Sequence, residues 1–294
     1  MRRALQALAL CAAVSCVATL RAQPGAAADV AAVLEHAAYR VPGAPSVIVH
    51  APPGFDARAP LQLVVFLHGY NGCVSVLMGR GDARCKPGDA VGEGWDLGRY
   101  HDAARTNSLF VVPQLAYLKR NGRPGAFGRP GGFRAFLEEL LQGPLAPLLG
   151  GPRRLADVAR VDLVAHSAGY QTALAIMEQG GLPPRLLRSV VLFDALYAET
   201  PRYARYVESH AAEGLRFVSI SLAHGTPERE SRVLAARLQR SLGKARVITT
   251  DAAGIAQAIA RHPIVFARGT PPHRLVPATH LAEVLAALLR TPAQ

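Results

Sequence analysis

The chain has 294 residues, 50% of them hydrophobic, with 33 basic against 21 acidic side chains and a formal charge of +12. That length and apolar content suit one sizeable core and exclude a disordered or collagen-like chain. The positive charge is mostly arginine, scattered among Ala, Gly and Pro rather than gathered in a stripe. No nucleic-acid-binding motif accompanies it, so nucleic acid is not an expected partner.

The N-terminus has the pattern of an export signal over residues 1–22. Arg2 and Arg3 precede an apolar segment from residue 4 to 20, followed by Arg21-Ala22-Gln23-Pro24, with cleavage expected after Ala22. Leu20 suits the −3 position poorly. Cys16 offers a lipid-anchor alternative, which Ala13 disfavours. Removal of this segment takes away three arginines and no acid, leaving 30 basic residues against 21 and a charge of +9. Such a surface suits association with anionic cell-envelope polymers. No other stretch reaches the length of a membrane-spanning helix. The expected location is therefore periplasmic or extracellular. In such an oxidising compartment the remaining pair, Cys73 and Cys85, is expected to form a disulfide.

Residues 23–44 read as a Pro/Gly/Ala-rich linker and a short helix-like patch from 29 to 39. A single α/β domain is expected over 45–294. Strand signals recur at 46–51, 61–67, 108–113, 161–165, 189–193, 215–222, 247–250 and 264–267. Helical spacing appears at 100–106, 133–141, 170–179, 228–242 and 278–289. Strands alternating with helices imply a mostly parallel sheet covered on both faces.

The chemistry gathers at residues 158–172, VARVDLVAHSAGYQT. A short apolar strand runs into Ala165-His166-Ser167-Ala168-Gly169 and then into a helix. Ser167 thus occupies the sharp turn of a G-x-S-x-G frame whose first glycine is alanine. Small flanking residues are what such a crowded strand-to-helix turn requires. The Ala168 N–H, at a helix N-terminus, can face a carbonyl oxygen that is gaining charge.

A serine nucleophile needs a base, and the base needs an orienting acid. His273 lies on the loop between the last strand and the last helix. Its rival, His280, falls inside that helix, where a surface histidine is the ordinary reading. For the acid, Asp194 stands in the apolar run VVLFDALY, where an unpartnered carboxylate would be costly. Glu228 and Asp251 follow later strands and remain alternatives. The second donor for the oxyanion is expected from the loop His68-Gly69-Tyr70, with the Tyr70 N–H the nominee and His68 structural. His166 and His224 read as packing or loop residues. No histidine or cysteine cluster has metal-ligand spacing and no glycine pattern fits a phosphate loop, so neither a cofactor nor a metal is expected. Loops 73–98 and 116–132 are expected to frame the pocket, with Trp95, Tyr117 and Phe127 for apolar contact.

With these parts assembled, residues 45–294 resemble the α/β-hydrolase superfamily. The matching segments are FLHGYNG (66–72), AHSAGY (165–170), the strand ending at Asp194, and His273. FDALY (193–197) and HRLVP (273–277) resemble segments of exported bacterial esterase-like members. The resemblance implies a Ser167–His273–Asp194 triad with Tyr70 and Ala168 as oxyanion-hole donors. It implies hydrolysis of a small-molecule or lipid-like carboxylic ester through an acyl-enzyme. The same apparatus serves amide hydrolysis or acyl transfer. Two further readings are a non-catalytic envelope-binding protein that kept the fold, and a lyase on the same scaffold.

Overall fold

The computed structural model describes residues 26–117, 122–183 and 185–290. The expected signal segment and Cys16 lie outside the described residues. Nine strands form one sheet: β1 Ala28–Ala32, β2 Val47–Ala51, β3 Leu61–Leu67, β4 Leu109–Pro113, β5 Val158–His166, β6 Leu187–Phe193, β7 Arg216–Leu222, β8 Val247–Asp251 and β9 Ile264–Gly269. Their spatial order is β1-β2-β4-β3-β5-β6-β7-β9-β8. The β1–β2 and β2–β4 pairs are antiparallel and the rest are parallel.

Parallel strands are buried on both faces, and their sequences are correspondingly apolar throughout. Along β3, Leu63, Val65 and Leu67 enter one core while Val64 and Phe66 enter the other. The first core lies under α3 (Gly132–Gln142), α5 (Tyr170–Gln179), α6 (Thr200–His210) and α7 (Thr226–Leu242). The second lies under α1 (Val74–Met78), α2 (Leu97–Ala103), α8 (Ile255–Arg261) and α9 (Val276–Leu289). A short α4 (Ala146–Leu149) precedes β5. Among the described residues, no helix is long and apolar enough to cross a membrane.

The helix expected over 29–39 is not there. Residues 28–32 instead form the edge strand β1, paired with β2 from Ala28↔Ala51 to Ala32↔Val47. Alanine-rich ADVAA has helical propensity, but the open edge of β2 supplies a ladder of backbone hydrogen bonds that outweighs it. The expected disulfide is present: Cys73 and Cys85 are joined with Cα atoms 5.5 Å apart. A loop of this size contributes roughly 3 kcal/mol in the chain-entropy account. It ties the base of α1 to a compact loop in which Ala83 bridges Gly92 and Trp95 N–H returns to Val76 O.

A carboxylate is buried within the sheet. Asp162 of β5 is fully buried, and Arg160 holds both carboxylate oxygens at 2.6 and 2.8 Å while Ser189 donates to one of them at 2.5 Å. Removing one partner of such a pair strands the other charge. Asp162→Ala is expected to destabilise the domain by about 3–5 kcal/mol in urea unfolding. A loss under about 1 kcal/mol would show that the pair is not holding the central strands.

Candidate active site

β5 is the central parallel strand between β3 and β6, and its C-terminal end opens into a single turn of 3-10 helix, Ser167–Gly169, before α5. Ser167 has φ +54°, a left-handed conformation that costs a non-glycine residue on the order of 1–3 kcal/mol. The neighbouring backbone leaves no room for relief. A Cβ on Gly69 would stand 2.6 Å from Ser167 Cβ, one on Gly169 2.2 Å from Leu67 O, and one on Gly122 1.7 Å from Ala168 O. The loops 68–72 and 122–128 therefore close directly on the turn. Each does so only because a glycine stands at the contact.

The structure brings His273 to Asp194. Asp194 follows β6, itself left-handed (φ +45°) and 5% exposed. One carboxylate oxygen accepts the Leu222 N–H at 3.1 Å, and the other meets His273 Nδ1 at 2.5 Å. A carboxylate so placed fixes the ring tautomer and leaves Nε2 as the free nitrogen. The alternatives are elsewhere: Glu228 pairs with Arg232, and Asp251 ends β8 opposite Arg268. Both line a separate cavity of about 290 Å³ under α7. His280, expected on the surface, is 6% exposed. Its Nδ1 pairs with Glu283 at 2.6 Å, because the face of α9 that carries it packs onto the sheet.

Two residues that pattern reading passed over belong to this site. His166 Nε2–H donates to the His273 carbonyl at 3.0 Å, and the two rings stack with centroids 4.6 Å apart. Burial, and then the neighbouring His273, push the His166 pKa down to about 3. A neutral ring thus backs the base loop. Trp95 meets the His166 ring edge-on at 5.7 Å. Tyr197, 38% exposed and tilted against the Tyr170 ring at 6.2 Å, is a near neighbour of Ser167, and partial burial of its hydroxyl raises its pKa. Ser167 makes no hydrogen bond to His273 in this conformation. Such bonds are often loose without substrate and tighten in the reacting complex. The only sequence signal for these two was proximity, His166 next to the serine and Tyr197 three residues past the acid.

Phe127, expected at the pocket, is instead fully buried in a cluster with Phe133 and Phe136. Tyr117 hydrogen-bonds Asp89 and faces Lys86 at 6.0 Å, joining the two loops. In the loop that follows β3, Tyr70 is 44% exposed and Gly69 is buried against the serine. The loop is held by His68. Its Nδ1–H donates to Gly69 O at 2.9 Å, while Nε2 accepts the Leu115 N–H at 2.9 Å and a Gln114 amide at 3.3 Å. Burial pushes the His68 pKa down to about 4. The backbone bonds that close these two turns run from Gly72 N–H to Gly69 O and from Tyr170 N–H to Ser167 O and Ala168 O.

No protein-family model matches the sequence. No curated protein matches it either. Solved structures do resemble it. A feruloyl esterase module from Clostridium thermocellum, complexed with sinapinate, superposes with a TM-score of 0.59 at 10% identity, covering 92% of this chain and 91% of that one. A structure described as FAE gives 0.57 at 11% identity, covering 92% and 90%. The fold is that of the α/β-hydrolases. In that frame β5 with its serine turn, the end of β6 and the loop after β9 converge at the C-terminal edge of the sheet, where open α/β sheets place their sites.

The neutral burial of His68 and His166 has a pH consequence. Both are held well below the unfolded value of about 6.5, so as pH falls the unfolded chain takes up protons first. Their contribution is complete above that value and is lost towards pH 4, at about 1.4 kcal/mol per pH unit per group. The melting temperature is expected to fall continuously from pH 6.5 to 4. A flat profile there would contradict neutral burial of both rings.

Proposed function

We propose that the protein is a serine hydrolase of carboxylic esters, with Ser167 as nucleophile, His273 as general base and Asp194 as the acid that orients it. The observation that carries this reading is the 2.5 Å contact between the buried Asp194 carboxylate and the partly exposed His273 ring, at the sheet edge that holds the strained Ser167. His273 Nε2 takes the Ser167 proton as Oγ attacks the acyl carbon, and then returns it to the departing alcohol. The N–H groups of Ala168 and Tyr70 receive the oxyanion. Water activated by the same histidine releases the acyl group. Productive attack requires Ser167 Oγ to hydrogen-bond His273 Nε2. Tyr197, near the serine, can hydrogen-bond the substrate's alcohol or acyl oxygen.

The fold likeness to a feruloyl esterase module, together with Trp95 against the His166 ring and Tyr197 near the serine, supports esters with a planar aromatic acyl group as the first class to test. The Cys73–Cys85 disulfide supports an exported protein, since such bonds persist in oxidising compartments.

Hydrolysis of p-nitrophenyl and hydroxycinnamoyl esters by the purified protein tests the proposal. Ser167→Ala is expected to remove activity, and Asp194→Asn to lower kcat by roughly 10²–10⁴-fold with little change in KM. Activity surviving Ser167→Ala, or Asp194→Asn acting on KM alone, would contradict these roles. Hydrolysis of the matching anilides at comparable rates would shift the assignment to an amidase.

A further inference from the structure

At the end of the sheet opposite Ser167, three donors converge without a role in the reaction above. His50 sits near the C-terminus of β2 and pairs across the ladder with Phe110, at the start of β4. Because β2 runs antiparallel, this is the N-terminal edge of the parallel strands. His101 and Asp102 come from α2. One ligand atom from each of the three lies within 4.8 Å of the others. His50 is 1% exposed and His101 is fully buried, while the Asp102 side chain, 29% exposed, reaches the surface.

The hydrogen bonds around the cluster leave it one partner short. His50 Nδ1 meets Asp29 Oδ1 of β1 at 2.6 Å, and His50 Nε2 meets Asp102 Oδ1 at 2.8 Å. His101 Nε2–H donates to Ser108 Oγ at 2.9 Å, and Ser108 in turn contacts Thr106 Oγ1 at 3.0 Å. His101 Nδ1 is then a bare lone pair, and it is buried with no hydrogen-bond partner. The ring is held by a stack on Phe110 at 5.2 Å and by an edge contact with His50 at 5.7 Å. A buried acceptor without a donor is rare in proteins, and an unplaced ion is one of its standard explanations. The other orphan among the described residues, His280 Nε2, has no comparable set of donors around it.

We propose that His50 Nε2, His101 Nδ1 and an Asp102 carboxylate oxygen bind a divalent transition-metal ion, with Zn²⁺ the best chemical match. Two imidazoles and one carboxylate are a borderline-soft N₂O set suited to zinc and ill suited to Ca²⁺ or Mg²⁺. Asp29 accepts the Nδ1–H of His50, the outer carboxylate that commonly orients a metal-bound histidine. Tetrahedral bonds of about 2.0–2.1 Å set ligand atoms roughly 3.3 Å apart. His50 Nε2 and Asp102 therefore open slightly while His101 Nδ1 closes in. The ion displaces the proton shared between His50 Nε2 and Asp102 and leaves a fourth position for water on the exposed Asp102 side. Bound there, it clips the β1–β2 edge to α2. The sequence hid the site because its ligands come from elements about 50 residues apart.

The test is calorimetric titration of tag-free, chelator-treated protein with ZnCl₂ at pH 7.5, alongside X-ray absorption of the zinc-loaded protein. Expected are one equivalent bound with a Kd below about 1 µM, two imidazole nitrogens among the ligands at about 2.0–2.1 Å, and a melting temperature that rises with added zinc. Asp102→Asn and His101→Phe, the latter keeping the stack on Phe110, are each expected to weaken binding at least tenfold. His36→Ala, at an exposed histidine paired with Glu139, is expected to leave it unchanged. No stoichiometric binding by the wild type, an all-oxygen shell around the zinc, or binding that survives both substitutions would overturn the proposal. The absorption spectrum decides the matter even if either variant fails to fold.

Discussion

The left-handed backbone of Ser167 is the constraint on which the rest of the site depends. A strand that ends centrally and turns at once into a helix must place one residue at positive φ, and here that residue is the serine itself. Nothing local favours the conformation. It persists because three glycines let neighbouring backbone press against it: Gly69 against Ser167 Cβ, Gly169 against Leu67 O, and Gly122 against Ala168 O. Strain held this way is a form of preorganisation, since the hydroxyl is presented at the sheet edge without the cost of reaching it. Asp194, the second left-handed residue of the site, is fixed similarly, with its N–H donating to Ile220 O at 2.7 Å and its carboxylate held by Leu222 N–H.

Around this turn the protein places rigid neutral groups. His68 and His166 are both buried, and burial suppresses their protonation, so each serves as an oriented dipole. His68 stiffens the loop that carries Tyr70, and His166 holds the carbonyl of His273. The Asp194 carboxylate then faces the partly exposed His273 imidazole at 2.5 Å, the contact on which the proposed reaction rests. The outer shell is continuous with this core. Arg274 lies over Trp95 at 5.5 Å and pairs with Glu93 at 3.0 Å, which couples the base loop to the disulfide-tied loop 73–98.

Much of this was legible in the sequence, for a physical reason. Parallel strands covered on both faces are short apolar runs, and the groups at their C-terminal ends, Ser167, Asp194 and His273, stand at the points where those runs stop. What depended on the third dimension was not legible. β1 is a half-exposed, alanine-rich edge whose state is decided by its partner β2. α6 is polar over most of its length and is anchored by Tyr203, whose hydroxyl donates to Tyr170 O at 2.6 Å. Phe127 and His280 sit in segments that read as exposed yet are turned inward by packing. His166 and Tyr197 acquire meaning only from what they touch.

The most direct test of the central claim is reaction of the purified protein with a fluorophosphonate, followed by peptide mapping of the adduct. An activated serine held by the Asp194–His273 pair predicts a single adduct on Ser167, lost when His273 is replaced by alanine and retained when His280 is. Folded protein that stays unlabelled, or label on another serine, would contradict the account of this site as a nucleophilic centre.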